Sequence, residues 1–222
     1  MMTNLFSIFD PTSSLFNAHF NWLSLSMIMM FSFKTFWLIS SRWNSFMLIS
    51  INMIKLELKN NIMNNQTILI FIMIIIFIMV NNFMGLFSYV FTASSHISMT
   101  LVLALIFWVS FMLYSWMTKI SMTLAHLVPL GTPFLLMFFM VMIESVSNII
   151  RPITLSIRLA ANMTAGHLLI SLMSSSCSIN MITISLFIII MQCLLMVLEL
   201  AVALIQAYVF TILISLYYNE VN

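Results

Sequence analysis

Apolar positions dominate five stretches of the chain, residues 15–39, 67–90, 97–118, 134–173 and 179–218. About 20 helical residues at a ~1.5 Å rise cross a ~30 Å hydrocarbon core. Residues 15–39 therefore predict a first membrane span, with Lys34 near its far end able to snorkel to the interface. Asp, Glu, Lys and Arg are absent from Asn60 to Thr118. The two runs within 67–118, separated by Thr92, Ser94, Ser95 and His96, predict a transmembrane hairpin. Residues 41–61 mix Arg42, Lys55, Glu57 and Lys59 with Trp43, Phe46, Met47, Ile51, Ile54 and Leu58, a pattern that predicts an amphipathic helix in the membrane surface. An irregular loop is the alternative there.

Pro129, Gly131 and Pro133 punctuate the chain before the last two runs. Each of these runs is long enough to reach roughly 60 Å as a helix, about twice what a perpendicular span needs. Either each is two spans or each is one steeply tilted helix. No loop-like cluster interrupts 179–218, so two long tilted helices over 134–218 are expected, with Pro152 as a kink point. Ordinary tilts average only ~20°, so such a pair needs a functional reason.

Composition narrows the class further. Of the 222 residues, 63% are hydrophobic and 5% charged, and 7 basic plus 5 acidic side chains cannot cover a water-facing surface. A net charge of +2 gives no electrostatic footprint for nucleic acid. The three glycines, Gly85, Gly131 and Gly166, exclude a Walker loop and a dinucleotide fingerprint. Cys177 and Cys193 form neither a disulfide framework nor a metal spacing. The first ten residues hold no Lys or Arg, so neither a secretory signal nor a transit peptide is expected. No cofactor and no metal site are expected. Lys34, Arg42, Lys55, Lys59 and Lys119 fall on one side of the predicted topology, which by the positive-inside rule is the matrix or cytoplasm, with the N-terminus opposite.

Glu144, Arg151, Arg158 and Glu199 stand inside apolar runs, where a charge costs about 2.5–3.5 kcal/mol on insertion scales. Glu144, Arg151 and Arg158 recur every seven residues, with Asn148, Leu155 and Asn162 on the same stripe. Gln192, Glu199 and Gln206 repeat that interval on the last helix. Two readings remain open. The seams are ion pairs zipping the helices together, Arg151 with Glu144 or Arg158 with Glu199; or they line a wet path in which carboxylates, His167 and amides pass protons while arginine stays charged. His19, His96 and His126, at predicted span ends, read as interface residues.

The run from Arg151 to Leu169, RPITLSIRLAANMTAGHLL, resembles the signature helix of subunit a of F-type ATP synthases. Residues 198–210, LELAVALIQAYVF, are similar to that family's last helix, and His126-Leu127-Val128-Pro129 with Gly131-Thr132-Pro133 to the start of its penultimate one. The 23 methionines resemble arthropod mitochondrial usage. The resemblance spans the chain, and it implies a multi-pass subunit of the mitochondrial inner membrane with its N-terminus in the intermembrane space. It further implies a tilted hairpin against a c-ring of small helical-hairpin subunits, with peripheral-stalk and other Fo subunits and the lipid bilayer as further partners. By matched position Arg158 separates two proton half-channels and meets the ring carboxylates. Asn162, His167, Glu199 and Gln206 belong to the intermembrane-space half-channel, and Glu144 and Glu220 to the matrix one; for Glu220 a solvated terminal charge is the alternative. Arg151, Asn148 and Gln192 are secondary candidates. Phe138 stands where relatives often carry proline, and Ile153 where they often carry a small residue.

The expected protein is thus an all-α membrane protein that couples proton flow to rotation and makes no ATP itself. A secondary transporter binding an anion at Arg158 is the rival from another class, but transporters usually show inverted repeats and this sequence shows none. A purely structural assembly subunit is the third reading.

Overall fold

The computed structural model describes residues 6, 9–12, 19–31, 41–62, 65–87, 90–118, 120–128, 133–176 and 182–221. Among the described residues six α-helices follow in order: α1 (Arg42–Asn61), α2 (Asn65–Gly85), α3 (Ile97–Thr118), α4 (Ile120–His126), α5 (Phe134–Ser175) and α6 (Ile182–Val221). No strand occurs among the described residues. Helices α2, α3, α5 and α6 are each long and apolar enough to cross a membrane, which is the all-α membrane architecture that the hydrophobic pattern predicts. Both long runs are single unbroken helices, and α5 continues through Pro152. In lipid the lost hydrogen bond at a proline is offset by neighbouring helices and polar side chains.

Three elements differ from the expected boundaries. Within 15–39 the described residues Phe20–Phe31 form a 3-10 helix rather than an α-helix, and the remainder of that stretch is outside the described residues. Helix α2 stops at Gly85, short of Val90, a residue type enriched at helix ends. The turn after it is no exposed loop. Thr92, Ser94 and Ser95 are buried, the Ala93–Ser95 3-10 turn being tucked against α2, α3 and α5. Lys34, Lys119, Pro129 and Gly131 lie outside the described residues.

Small residues explain how the helices meet. On α6, Ala203, Ala207, Thr211 and Ser215 repeat every fourth position and all are buried. Ser156 and Ala160 on α5, and Thr100 and Ala104 on α3, give those helices the same kind of face. Lipid tails are as apolar as leucine, so close van der Waals approach holds such helices together rather than release of water. The hydroxyls on these faces are satisfied locally: Ser156 donates to the Ile153 carbonyl at 2.8 Å and Ser215 to that of Ile212 at 2.8 Å. Helix α3 packs on α5, α2 on α6, and α5 on α6.

Helix α1 is capped by Ser41, whose side chain accepts from the Asn44 amide at 3.3 Å. Leu58, 2% exposed, joins Ile68, Phe71, Phe210 and Ile214 in the core, while Phe46, Ile49, Met53 and Leu56 face outward. The helix thus has two apolar faces, one on the bundle and one free for the bilayer interface. Tyr208 of α6 ties it down, its hydroxyl donating to Glu57 Oε2 at 2.8 Å. Both partners are exposed, so the bond is worth about 1 kcal/mol. Tyr208→Phe should accordingly speed amide exchange of α1 about fivefold in hydrogen-exchange mass spectrometry, without loss of the assembled protein.

Candidate functional site

The polar residues of the two long helices gather into two clusters with Arg158 between them. Glu144 and Arg158 are about 21 Å apart along α5, and Arg158 and His167 about 13 Å.

The first cluster lies toward the start of α5. Arg151 Nη2 stands 3.5 Å from Glu144 Oε1, and its guanidinium carbon lies 5.0 Å from the centre of the Tyr217 ring on α6. Of the two ion pairs left open by the sequence, this one forms. With both side chains about one-third exposed (30% and 38%), the pair adds little to stability. It opens instead onto a cavity of about 740 Å³ between α3, α4, α5 and α6. Glu144, Asn148, Arg151 and Tyr217 supply its polar wall, Trp108 and Leu124 part of its apolar one. Pro152, also lining it, has no N–H for the Asn148 carbonyl, which leaves that carbonyl as an extra acceptor beside the cavity.

The second cluster lies toward the far end of α5. Asn162 Nδ2 donates to Gln206 Oε1 at 3.1 Å, joining the two long helices. His167, 8% exposed, is hydrogen-bonded to the Gly85 backbone and meets the Phe9 ring edge-on at 6.3 Å. Glu199, 9% exposed, begins the four-residue ladder that continues with Ala203 and Ala207, and its carboxyl lies over Gly166. Among the described residues His167 Nε2, Glu199 Oε1 and Gln206 Nε2 are buried without a protein hydrogen-bond partner. Three such atoms on two packed helices are costly in an apolar interior unless water or a mobile proton serves them.

Arg158 belongs to neither cluster. Ser156, Ala160 and Met163 are buried on the opposite side of the helix, and Arg158 is exposed with Thr154, Ala161 and Ala165 beside it. No carboxylate among the described residues lies within ion-pair distance of it, so the Arg158–Glu199 pair that the sequence left open does not form. The seven-residue stripe is thus divided by its own drift and by packing: Glu144 and Arg151 turn to the cavity, Arg158 turns outward, and Asn162 reaches α6. Gln192 is half-buried nearer the start of α6. Glu220 is in the last turn of α6, its side chain outside the described residues.

Several polar groups of this region escape a reading by heptads. Asn82 is 1% exposed with Oδ1 unpartnered, and Ser94 Oγ is unpartnered beside it on a small cavity that both line. Two adjacent amides, Asn81 and Asn82, in an otherwise apolar run were the available signal. His96, immediately before α3, packs against Trp22 and Phe91 with ring centres 5.4 and 5.2 Å away, and its Nε2 is buried. His19 is exposed, and the His126 side chain lies outside the described residues. Phe138 is 78% and Ile153 39% exposed, so neither bulky residue disturbs the clusters.

Comparison with known proteins gives a consistent result. The family model described as ATP synthase A chain matches residues 17–219. ATP synthase subunit a of Locusta migratoria is 50% identical over 225 residues, with the whole of both chains aligned. The proteins of that name from Aedes aegypti and Drosophila melanogaster are each 49% identical, again over the full length of both.

Proposed function

Because the chain belongs to the ATP synthase A chain family, a membrane-embedded proton-channel subunit of Fo working alongside other Fo subunits, we propose that it forms two separate proton half-channels that meet a ring of c subunits at Arg158. The observation that carries this is the guanidinium of Arg158, exposed in the middle of a membrane helix and with no ion-pair partner among the described residues. A charge facing lipid there costs about 2.5–3.5 kcal/mol on insertion scales, which favours a partner surface over it. The small neighbours Thr154, Ala161 and Ala165 leave room for that surface to come close. An acid on a passing subunit supplies what Arg158 lacks.

The two clusters take the two channel roles. Asn162, His167, Glu199 and Gln206 bring protons from the intermembrane space to the ring; Glu144, with Asn148 and Arg151 in the cavity wall and Glu220 beyond it, returns them to the matrix. A carboxyl, an imidazole and water each accept and release protons, while a guanidinium does not. Arg158 therefore blocks direct passage from one cluster to the other, so protons cross only by riding the ring. A long hairpin lying oblique to the bilayer follows the curved wall of such a rotor. By the positive-inside rule the basic residues Arg42, Lys55 and Lys59 on α1 favour the matrix side of the mitochondrial inner membrane for that helix, with the N-terminus in the intermembrane space. Peripheral-stalk subunits hold the chain still against the torque.

A transporter would work as an isolated chain in liposomes, and a ring-dependent stator would not. Disulfide trapping gives the direct test. With Ile157→Cys or Ala161→Cys on the exposed face beside Arg158, and a second cysteine introduced beside the membrane carboxylate of the small hairpin subunit, oxidation of the assembled complex should cross-link the two chains and stop ATP-driven pumping. Efficient cross-linking of these positions to a non-rotating subunit alone would sink the reading.

A further inference from the structure

Resting on the proton-path reading above, we propose that Gly166 is a positioning residue whose missing side chain is the space in which the Glu199 carboxyl sits. A Cβ built at 166 would stand 2.7 Å from Glu199 Oε1, 2.8 Å from its Cδ and 3.2 Å from its Cγ. Carbon contacts normally settle at about 3.5–4.0 Å. Any side chain at 166 therefore has to displace the carboxyl by roughly 1 Å.

Local propensity does not explain this glycine. In a helix interior glycine is about 1 kcal/mol less favourable than alanine, and the whole chain contains only three. Two of the three serve this one cluster: the Gly85 backbone hydrogen-bonds His167, and Gly166, next to His167, receives Glu199. Close helix packing is the usual use of glycine in membranes. Here, however, all three near atoms belong to one carboxyl-bearing side chain, not to the α6 backbone or an apolar residue. That side chain is 9% exposed, and among the described residues Oε1 has no hydrogen-bond partner, so no hydrogen bond holds that oxygen against a displacement from position 166. Gly166 stands between Asn162 and His167 on α5, and the clearance holds the carboxyl at their level. Transfers that depend on aligned donors and acceptors lose about 100-fold for a misplacement of about 1 Å.

The test uses the assembled complex in inverted inner-membrane vesicles, with pumping read from a pH-sensitive dye and assembly from native gels. Gly166→Ala should assemble and lose about 10- to 100-fold in ATP-driven pumping. Glu199→Asp withdraws the carboxyl by one methylene, so the double variant Gly166→Ala/Glu199→Asp should pump no worse than Glu199→Asp alone. A glycine needed only for packing predicts instead that the two losses multiply, and that result, or normal pumping by Gly166→Ala, overturns the proposal. Should Gly166→Ala fail to assemble, restoration of assembly and pumping by Glu199→Asp supports it and absence of restoration overturns it. Glu199→Gln is the control on the underlying reading: normal pumping there removes the relay itself, whereas a loss there beside normal Gly166→Ala removes only the positioning role.

Discussion

Arg158→Ala should leave the complex assembled and abolish ATP-driven proton pumping. Assembly survives because the side chain is exposed, holds no ion pair among the described residues, and sits opposite the buried Ser156 and Ala160. Removing a charge from mid-membrane even relieves an insertion cost of about 2.5–3.5 kcal/mol. On the proposed reading pumping should fail because no other basic residue of α5 or α6 stands at that level to keep the two polar clusters apart or to ionise a passing carboxyl. Arg158→Lys should not restore it, since an ammonium in an apolar site gives up its proton far more readily than a guanidinium. Dye quenching in inverted vesicles, beside ATP hydrolysis by the same vesicles, makes the measurement. Undiminished pumping by the alanine variant ends the separator role.

The second large effect is at Glu199. Replacement by glutamine preserves side-chain length and the fit over Gly166, and removes only the ability to bind and release a proton. Flux should fall by at least about tenfold, the low end of what a positioned acid–base group contributes. A purely structural glutamate predicts no change, because the amide fills the same space. Flux should therefore be followed across a full pH series in the Glu199→Gln complex, and unchanged flux throughout would remove the relay role. His167, Asn162 and Gln206 share the cluster, so single losses there should be smaller wherever water can bridge the missing group.

Both expectations start from charges legible in the sequence. Ionisable residues in a lipid span need a reason for being there, and Arg158, Glu144, Arg151 and Glu199 can be picked out without coordinates. Heptad spacing also placed Glu199 and Gln206 together on one face of α6, which is where both are buried. On α5 the same spacing brought Glu144 and Arg151 together but did not tell where Arg158 turns. It put Glu144, Arg151 and Arg158 on one stripe, yet Arg151 turns to Glu144 and Tyr217 while Arg158 faces out. A seam of three charges can be zipped or split at identical spacing, and the choice rests with the neighbouring helices.

Hydrophobic runs alone determined that this chain is helical and membrane-bound, since only internally satisfied helices tolerate lipid over such lengths. The specific runs at 151–169 and 198–210 determined the family. Tertiary structure decided what periodicity does not encode: burial of the Thr92–Ser95 turn, the Tyr208–Glu57 tie, the cavity behind Arg151, and the fit of Glu199 over Gly166. The physical reason is common to all four. Each depends on which residues of distant segments meet, and in lipid that is set by small-residue contacts between helices rather than by the apolar pattern of any one of them.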